Sequence, residues 1–193
     1  YEIPLRLVGS EMCIRDSTFR TEARFADPDF ARRTYRRLAS DLITNGTTRV
    51  CMFSSLHTDA TLILMEELEK AGVTGYVGKV NMDRNGSSDL QETTEQSKRE
   101  TLRWLDACGR FQTVKPILTP RFIPSCTDDL MYGLARLQAK YGVPVQSHLS
   151  ENYSEIAWIR ELCPRSKHYG DAYEQFGLFG GGYSCIMAHC VHS

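Results

Sequence analysis

The sequence predicts an α/β fold in which strands alternate with helices around a parallel sheet. Five strand-like segments are separated by helical segments that carry their own start and stop signals. The composition, 41% hydrophobic and 24% charged, is that of a globular domain with a sizeable core. The pattern fits part of a (β/α)8 barrel or most of a doubly wound sheet. Because a complete barrel takes about 250 residues and this chain has 193, a barrel implies a partial one. The start at Tyr1 and the end just after a strand-like run predict that this barrel is truncated at both ends.

The helices are predicted from apolar spacing and from capping residues. The first has Asp27 at the N-cap, Pro28 in the first turn and Gly46 just past its end. The second starts with Thr58 or Asp59 as its cap. The predicted helical segments are 27–46, 58–72, 92–109, 127–142, 153–162 and about 171–176.

The strands are short runs rich in β-branched and aromatic residues, bounded by polar or glycine-containing turns. They cover residues 47–55, 73–82, 113–122, 143–150 and 183–190. Pro116 is unusual for a central strand because proline has no N–H to donate to a neighbouring strand. This proline makes the third strand the least regular of the five.

Composition excludes several classes of function. The formal net charge is −1, which argues against nucleic acid or an anionic membrane as a partner. No apolar run approaches the roughly 18–20 residues that a membrane helix needs. The seven cysteines form no CxxC pair and are typical of reduced thiols. We therefore expect a cytoplasmic protein with neither membrane nor nucleic-acid partners.

The beginning of the sequence is unlike the rest. The chain starts at Tyr1, and residues 7–17, LVGSEMCIRDS, resemble a translated adapter sequence. We expect residues 1–17 to be a non-native lead-in, which is excluded from fold reasoning like any tag. Residues 18–193 are then expected to form the folded segment.

An ionisable residue lies at or just after the carboxyl end of every predicted strand. His57, Asp83, Arg121, His148 and His189 each lie at the carboxyl end of a strand-like segment. In a parallel barrel these ends converge on one mouth, where the active site forms. The series therefore predicts a catalytic site at that edge of the sheet.

The stretch VQSHLSEN combines two of the candidate groups. A histidine at a rigid strand end is suited to metal binding, although a hydrogen-bonded structural histidine fits His148 equally well. Glu151 lies three residues later, where a carboxylate can move protons or simply favour a helix start. His168 and His192 are interpreted as surface or incidental residues, and Trp104 and Trp158 as core.

Several stretches taken together resemble the guanine deaminases of the amidohydrolase superfamily. They are NGTT, HTDAT, VGKVNMDRN, TEQSKRET, VKPILTPRF, SCTDDLM, VQSHLSEN and IMAHC, in the family's order from about residue 19 to the last residue. The resemblance implies a (β/α)8 barrel of the metal-dependent hydrolase type, with residues 18–193 supplying about strands 2–6. It also implies hydrolysis of guanine to xanthine and ammonia with one Zn²⁺.

The resemblance also implies roles for five residues. His148 matches a zinc ligand that also lines the substrate site, and Glu151 matches the catalytic acid/base that contacts the purine. His189 matches the catalytic histidine that orients the attacking water. Arg121 and Phe122 match the pair that holds the purine, the first at its polar edge and the second on its face. His57 and Asp83 are expected to order loops.

The departures from the family pattern limit what this stretch does alone. The family's His-x-His metal pair would precede residue 18, and its last aspartate ligand would follow Ser193. Only His148 of the zinc ligands is present, whereas catalytic zinc takes three protein ligands. We therefore expect the 193 residues alone to be inactive. The resemblance also implies that a complete protein forms a homodimer. The alternatives are another amidohydrolase deaminase or chlorohydrolase acting on a heterocycle, and a non-catalytic barrel homologue.

Overall fold

The computed structural model describes residues 20–179 and 182–192, so the predicted lead-in at 1–17 lies outside the described part. Its helices are α1 (Arg20–Ala23), α2 (Pro28–Thr44), α3 (Thr58–Lys70), α4 (Thr94–Ala107), α5 (Asp128–Tyr141), α6 (Tyr153–Leu162) and α7 (Tyr169–Glu174). Its strands are β1 (Arg49–Phe53), β2 (Thr74–Gly78), β3 (Val80–Asn81), β4 (Val114–Pro116), β5 (Thr119–Pro120), β6 (Val145–Leu149) and β7 (Cys185–His189). The predicted alternation of strands and helices is confirmed.

Local capping explains where the main helices begin and end. Asp27 accepts a hydrogen bond from the backbone of Asp29, as predicted for the start of α2. Thr93 and Gln96 form a reciprocal capping box at α4. The predicted cap of α3 was wrong, because His57 occupies the N-cap position without a side-chain bond to the helix. The α3 helix therefore starts one residue earlier than its polar side chains suggest.

Two of the predicted strands are interrupted. The 73–82 segment divides into β2 and β3, and the 113–122 segment into β4 and β5. The pairings Val77↔Pro116 and Val80↔Thr119 keep one register across the break. Pro116 supplies no N–H, and Gly78 lies so close to Thr119 that a Cβ there would be 1.7 Å from its Oγ1. Each pair of pieces is therefore one strand with a local break in its ladder.

The strands are parallel and follow chain order across the sheet. β1 pairs with β2, β2 with β4, β3 with β5, and β6 with β7. A bridge between Leu118 and Val145 connects the β4–β5 strand to β6. A doubly wound sheet reverses its strand order at a switch point, and the described strands show no such reversal.

The sheet is strongly curved. In a flat sheet β1 and β6 would lie about 14 Å apart, since two strands separate them at about 4.8 Å each step. Instead, Gln146 on β6 donates a 2.9 Å hydrogen bond to the carbonyl of Met52 on β1. Phe53 and His148 at the carboxyl ends of the same two strands have ring centroids 4.5 Å apart. The strand ends therefore converge on one side.

The helices bury their apolar faces in a single large core against the sheet. Trp104 is fully buried there, as expected from its helical position, and Leu64, Leu68 and Leu130 are also fully or almost fully buried. None of the helices in residues 20–179 and 182–192 has the length and apolarity to cross a membrane. The core and the curved sheet together hold the strand ends in place.

Candidate active site

His148 lies at the centre of the converging strand ends. Its Nδ1 is 2.6 Å from the carbonyl oxygen of Arg121. A carbonyl only accepts hydrogen bonds, so Nδ1 carries the proton and Nε2 of the neutral ring keeps its lone pair. Burial lowers the pKa of His148 and favours this neutral form. The side chain is therefore held in the tautomer that a metal ligand needs.

Glu151 and His189 lie beside this ring. The His189 ring stacks on the His148 ring with centroids 5.3 Å apart. Nε2 of His189 is 3.7 Å from Oε2 of Glu151, longer than a direct hydrogen bond and close enough for an ion pair when the imidazole is protonated. The structure thus brings together three of the predicted site residues on the β6 and β7 ends.

Unusual backbone conformations form the turns beyond these strands. Ser150 has φ of 52° and His189 has φ of 75°, in the left-handed region that non-glycine residues seldom occupy. The two turns are joined, since the Cys190 amide donates to the carbonyl of Leu149 at 2.8 Å. Left-handed residues at strand ends turn the chain sharply, which brings Glu151 back over the mouth.

A buried carboxylate supports the Glu151 backbone. The amide of Glu151 donates to Oε2 of Glu155 at 3.0 Å, and the hydroxyl of Tyr169 donates to Oε1 of the same carboxylate at 2.5 Å. Burial raises the pKa of Glu155, and the two hydrogen bonds oppose that effect. Asn152 caps α6 through the amide of Glu155 at 2.9 Å. Sequence reasoning missed Glu155 and Tyr169 because both look like ordinary helix residues.

A second tyrosine supports the β6 backbone. The Tyr173 hydroxyl donates to the carbonyl of His148 at 2.8 Å and lies 2.7 Å from Oγ of Ser147. Ser147 in turn donates to the carbonyl of Pro120 at 2.7 Å. Tyr169 and Tyr173 are four residues apart and therefore on one face of α7. That spacing was the available sequence signal for this pair.

Arg121 and Phe122 leave the β5 end in different directions. The guanidinium of Arg121 forms an ion pair with Glu22, with Nη1 2.9 Å from Oε2. The Phe122 ring meets Trp158 edge to face, with centroids 6.2 Å apart. The prediction of Trp158 as a core residue is corrected by its burial, since the residue is only half-buried. Sequence reasoning missed both partners.

Asp83 orders loops, whereas His57 lies at the N-cap of α3. Asp83 accepts hydrogen bonds from Thr94 and from the amide and hydroxyl of Thr127, at 2.5–2.7 Å. It ties together the loops after β3 and β5, as expected. His57 begins α3, and its Nε2 is buried with no hydrogen-bond partner among the described residues. His168 is exposed, as expected, whereas His192 stacks on Tyr153.

The potential metal ligands among the described residues are few. The tautomer of His148 fits a ligand, yet the described residues contain no group of three or more His, Cys, Asp or Glu that could hold an ion. Glu151 and His189 adjoin His148 without completing such a group. Residues 20–179 and 182–192 therefore hold one side chain with a tautomer suited to metal binding, and they do not by themselves form a metal site.

Parallel βα units with a histidine–glutamate pair at the strand ends are typical of hydrolases with an α/β fold. The amidohydrolase family model matches residues 9–193, and this chain belongs to that family. Guanine deaminases from Dictyostelium discoideum and Mus musculus are each 41% identical to the chain, over 178 and 175 residues. They confirm the resemblance that the motifs predicted.

The alignments cover most of this chain and a minority of each relative. They span 91% and 89% of this chain but 39% and 38% of the two relatives. The crystal structure of a guanine deaminase from C. acetobutylicum with bound guanine superposes with a TM-score of 0.89 at 49% identity. That superposition covers 93% of this chain and 43% of the other.

Proposed function

We propose that the complete protein containing this chain hydrolyses guanine to xanthine and ammonia. The observation that carries the proposal is the juxtaposition of His148, Glu151 and His189 with the Arg121–Phe122 pair at one set of strand ends. The similarity to guanine deaminases, one of them with guanine in its active site, supports the same substrate.

We also propose that residues 18–193 are about strands 2–6 of a (β/α)8 barrel of the metal-dependent hydrolase type. The unreversed order of parallel strands and the contact between β1 and β6 support a closed barrel over an open sheet. The chain spans about 39% of the length of its curated relatives, which supports a truncated barrel. The boundary after residue 17 remains a prediction.

The cofactor we propose is one Zn²⁺ per active site. His148 would hold it through Nε2, together with ligands outside the described residues. When bound, zinc lowers the pKa of a water molecule towards neutrality and so makes a nucleophile available. The fixed tautomer of His148 is what this chain contributes to that site.

The side chains of this chain would bind the purine and move its protons. The Arg121 guanidinium would donate to the polar edge of guanine, and the Phe122 ring would pack on its face. Glu151 would take a proton from the attacking water and deliver it to the ring nitrogen next to the amino-bearing carbon. After the water oxygen has added to that carbon, Glu151 would carry the remaining hydroxyl proton to the amino group. The C–N bond would then break, so that ammonia leaves and xanthine remains. His189 would orient the water and the developing oxyanion.

The test is a kinetic assay of the protein that the complete reading frame encodes. We expect purified protein to release ammonia stoichiometrically with xanthine from guanine, and to lose the activity on chelation and regain it with Zn²⁺. Turnover of a triazine or another amino-heterocycle without turnover of guanine would favour the alternative amidohydrolase. Absence of hydrolysis on every such substrate would favour a non-catalytic homologue.

Location and assembly are proposed on separate grounds. We propose a cytoplasmic protein because the described cysteines are free thiols, three of them buried. The homodimer is proposed from the family resemblance alone. Sedimentation of the complete protein tests it directly.

A further inference from the structure

The pairing of Arg121 with Glu22 joins two distant parts of the chain. Glu22 lies on α1, 99 residues before Arg121, and their side chains are 11% and 19% exposed. A guanidinium this deeply buried is costly unless a carboxylate neutralises it. The ion pair therefore allows a cation to be placed at the strand ends.

The chain directly after Glu22 is anchored against the rest of the protein. Ala23 packs against a small apolar cluster of Leu56, Met82 and Leu90. Met82 directly follows β3, and Leu56 lies in the loop after β1. Phe25 stacks on Tyr35 with ring centroids 4.7 Å apart. Glu22 is thus held over the same edge of the sheet as the predicted site.

Arg121 is fixed at its backbone as well. Its amide donates to the carbonyl of Asn81 at 3.1 Å, and its carbonyl accepts from Nδ1 of His148 at 2.6 Å. Because the guanidinium is a planar fork, the carboxylate contact at Nη1 restricts the directions that its N–H groups can take. The same residue therefore connects the His148 ring to Glu22.

The second carboxylate oxygen of Glu22 indicates that the space beside Glu22 and His57 is suited to a polar group. Oε1 of Glu22 and Nε2 of His57 are both buried without hydrogen-bond partners among the described residues. The two groups are close enough for the Glu22 charge to raise the pKa of His57, against the larger lowering effect of burial. Buried polar atoms are rarely left unsatisfied in a finished site.

We propose that Glu22 is a positioning residue for substrate recognition. It holds the Arg121 guanidinium in one orientation and neutralises it, so that the fork meets the uncharged polar edge of a purine without reorganising. This inference rests on the proposed function. It adds to that function a carboxylate, outside every motif that identified the family, on which purine affinity depends.

The experiment compares three variants of the complete protein. They are Glu22→Gln, Glu22→Asp, and a double variant that combines Glu22→Gln with Arg121→Lys. Glu22→Gln keeps the shape and removes the charge, and we expect the KM for guanine to rise by about 10- to 100-fold with kcat nearly unchanged. Such a split marks lost binding that ground state and transition state share. Glu22→Asp should recover part of the affinity. In the double variant the two losses should not add, because both remove the same interaction.

The matched control is Asp41→Asn, which removes an exposed ion pair with Arg37 and should leave KM and Tm unchanged. An unchanged KM in Glu22→Gln, or full additivity with Arg121→Lys, overturns the inference while guanine turnover by the unmodified protein stands. Loss of the folded state in both Glu22 variants assigns the pair to stability and also overturns it. An unmodified protein that releases no ammonia from guanine overturns the proposed function together with this inference.

Discussion

The two halves of the candidate site differ in how tightly they are held. Arg121 and His148 are buried or half-buried, and each has a fixed partner in Glu22 or a backbone carbonyl. Glu151 and His189 have side chains that are 46% and 36% exposed, and the 3.7 Å between them is too long for a direct hydrogen bond. Groups that recognise a substrate benefit from preorganisation. A group that carries a proton between two atoms must instead be able to move.

The largest effect on the activity of the complete protein should come from substitution of Glu151, in the more exposed half of the site. Glu151→Gln keeps the size of the side chain and removes its basicity, so kcat for guanine should fall by about 10²–10⁴-fold with a smaller change in KM. Steady-state ammonia release is the measurement, and Glu161→Gln on the exposed side of α6 is the control. Full activity in Glu151→Gln would remove Glu151 from the mechanism.

Substitution of Arg121, in the more tightly held half of the site, should mainly raise KM. Arg121→Lys replaces a planar fork by a point charge that cannot meet Glu22 and a purine edge in the same geometry. We expect KM to rise by roughly 10- to 100-fold, more than kcat falls. Arg136→Lys, on the exposed face of α5, should change neither constant. A fall in kcat alone would indicate that Arg121 takes part in proton transfer and not in substrate binding.

The support beneath Glu151 should give a smaller effect. Tyr169→Phe removes one donor from the buried Glu155 carboxylate, which should reduce kcat roughly tenfold, as loss of an orienting partner does. It should also reduce the free energy of unfolding by about 1–3 kcal/mol. Tyr132→Phe, whose side chain is 47% exposed, is the control. Lower stability with unchanged kcat would show that Glu155 serves the fold alone.

The smallest effect should appear in the pH dependence of stability. Burial lowers the pKa of His57 from its ordinary 6.5, so below that pH the unfolded chain takes up a proton that the folded state resists. The stability associated with His57 is therefore present above pH 6.5 and is lost as pH falls. His57→Gln should reduce the fall in Tm between pH 7 and pH 5. His168→Gln, at an exposed position, should not, and equal slopes in both variants would contradict this account.

Much of the local structure could be read from the chain because short-range chemistry decides it. Asp27, Thr93 and Thr127 cap helices through their own side chains, and such bonds depend on residues two or three positions away. The helix after β1 was the exception. Its N-cap residue is His57, whose side chain makes no capping bond, so no local side-chain bond marks where that helix starts.

The sequence by itself determined the alternating elements, the family and the residues at the strand ends. Tertiary structure decided the partners: Glu22 for Arg121, Trp158 for Phe122, and Tyr169 with Glu155 for Glu151. Three of these contacts depend on curvature, backbone turns and packing between elements that are distant in sequence. Periodicity and capping report only on neighbours along the chain. A buried carboxylate 99 residues from the arginine that it neutralises therefore becomes visible only in the folded structure.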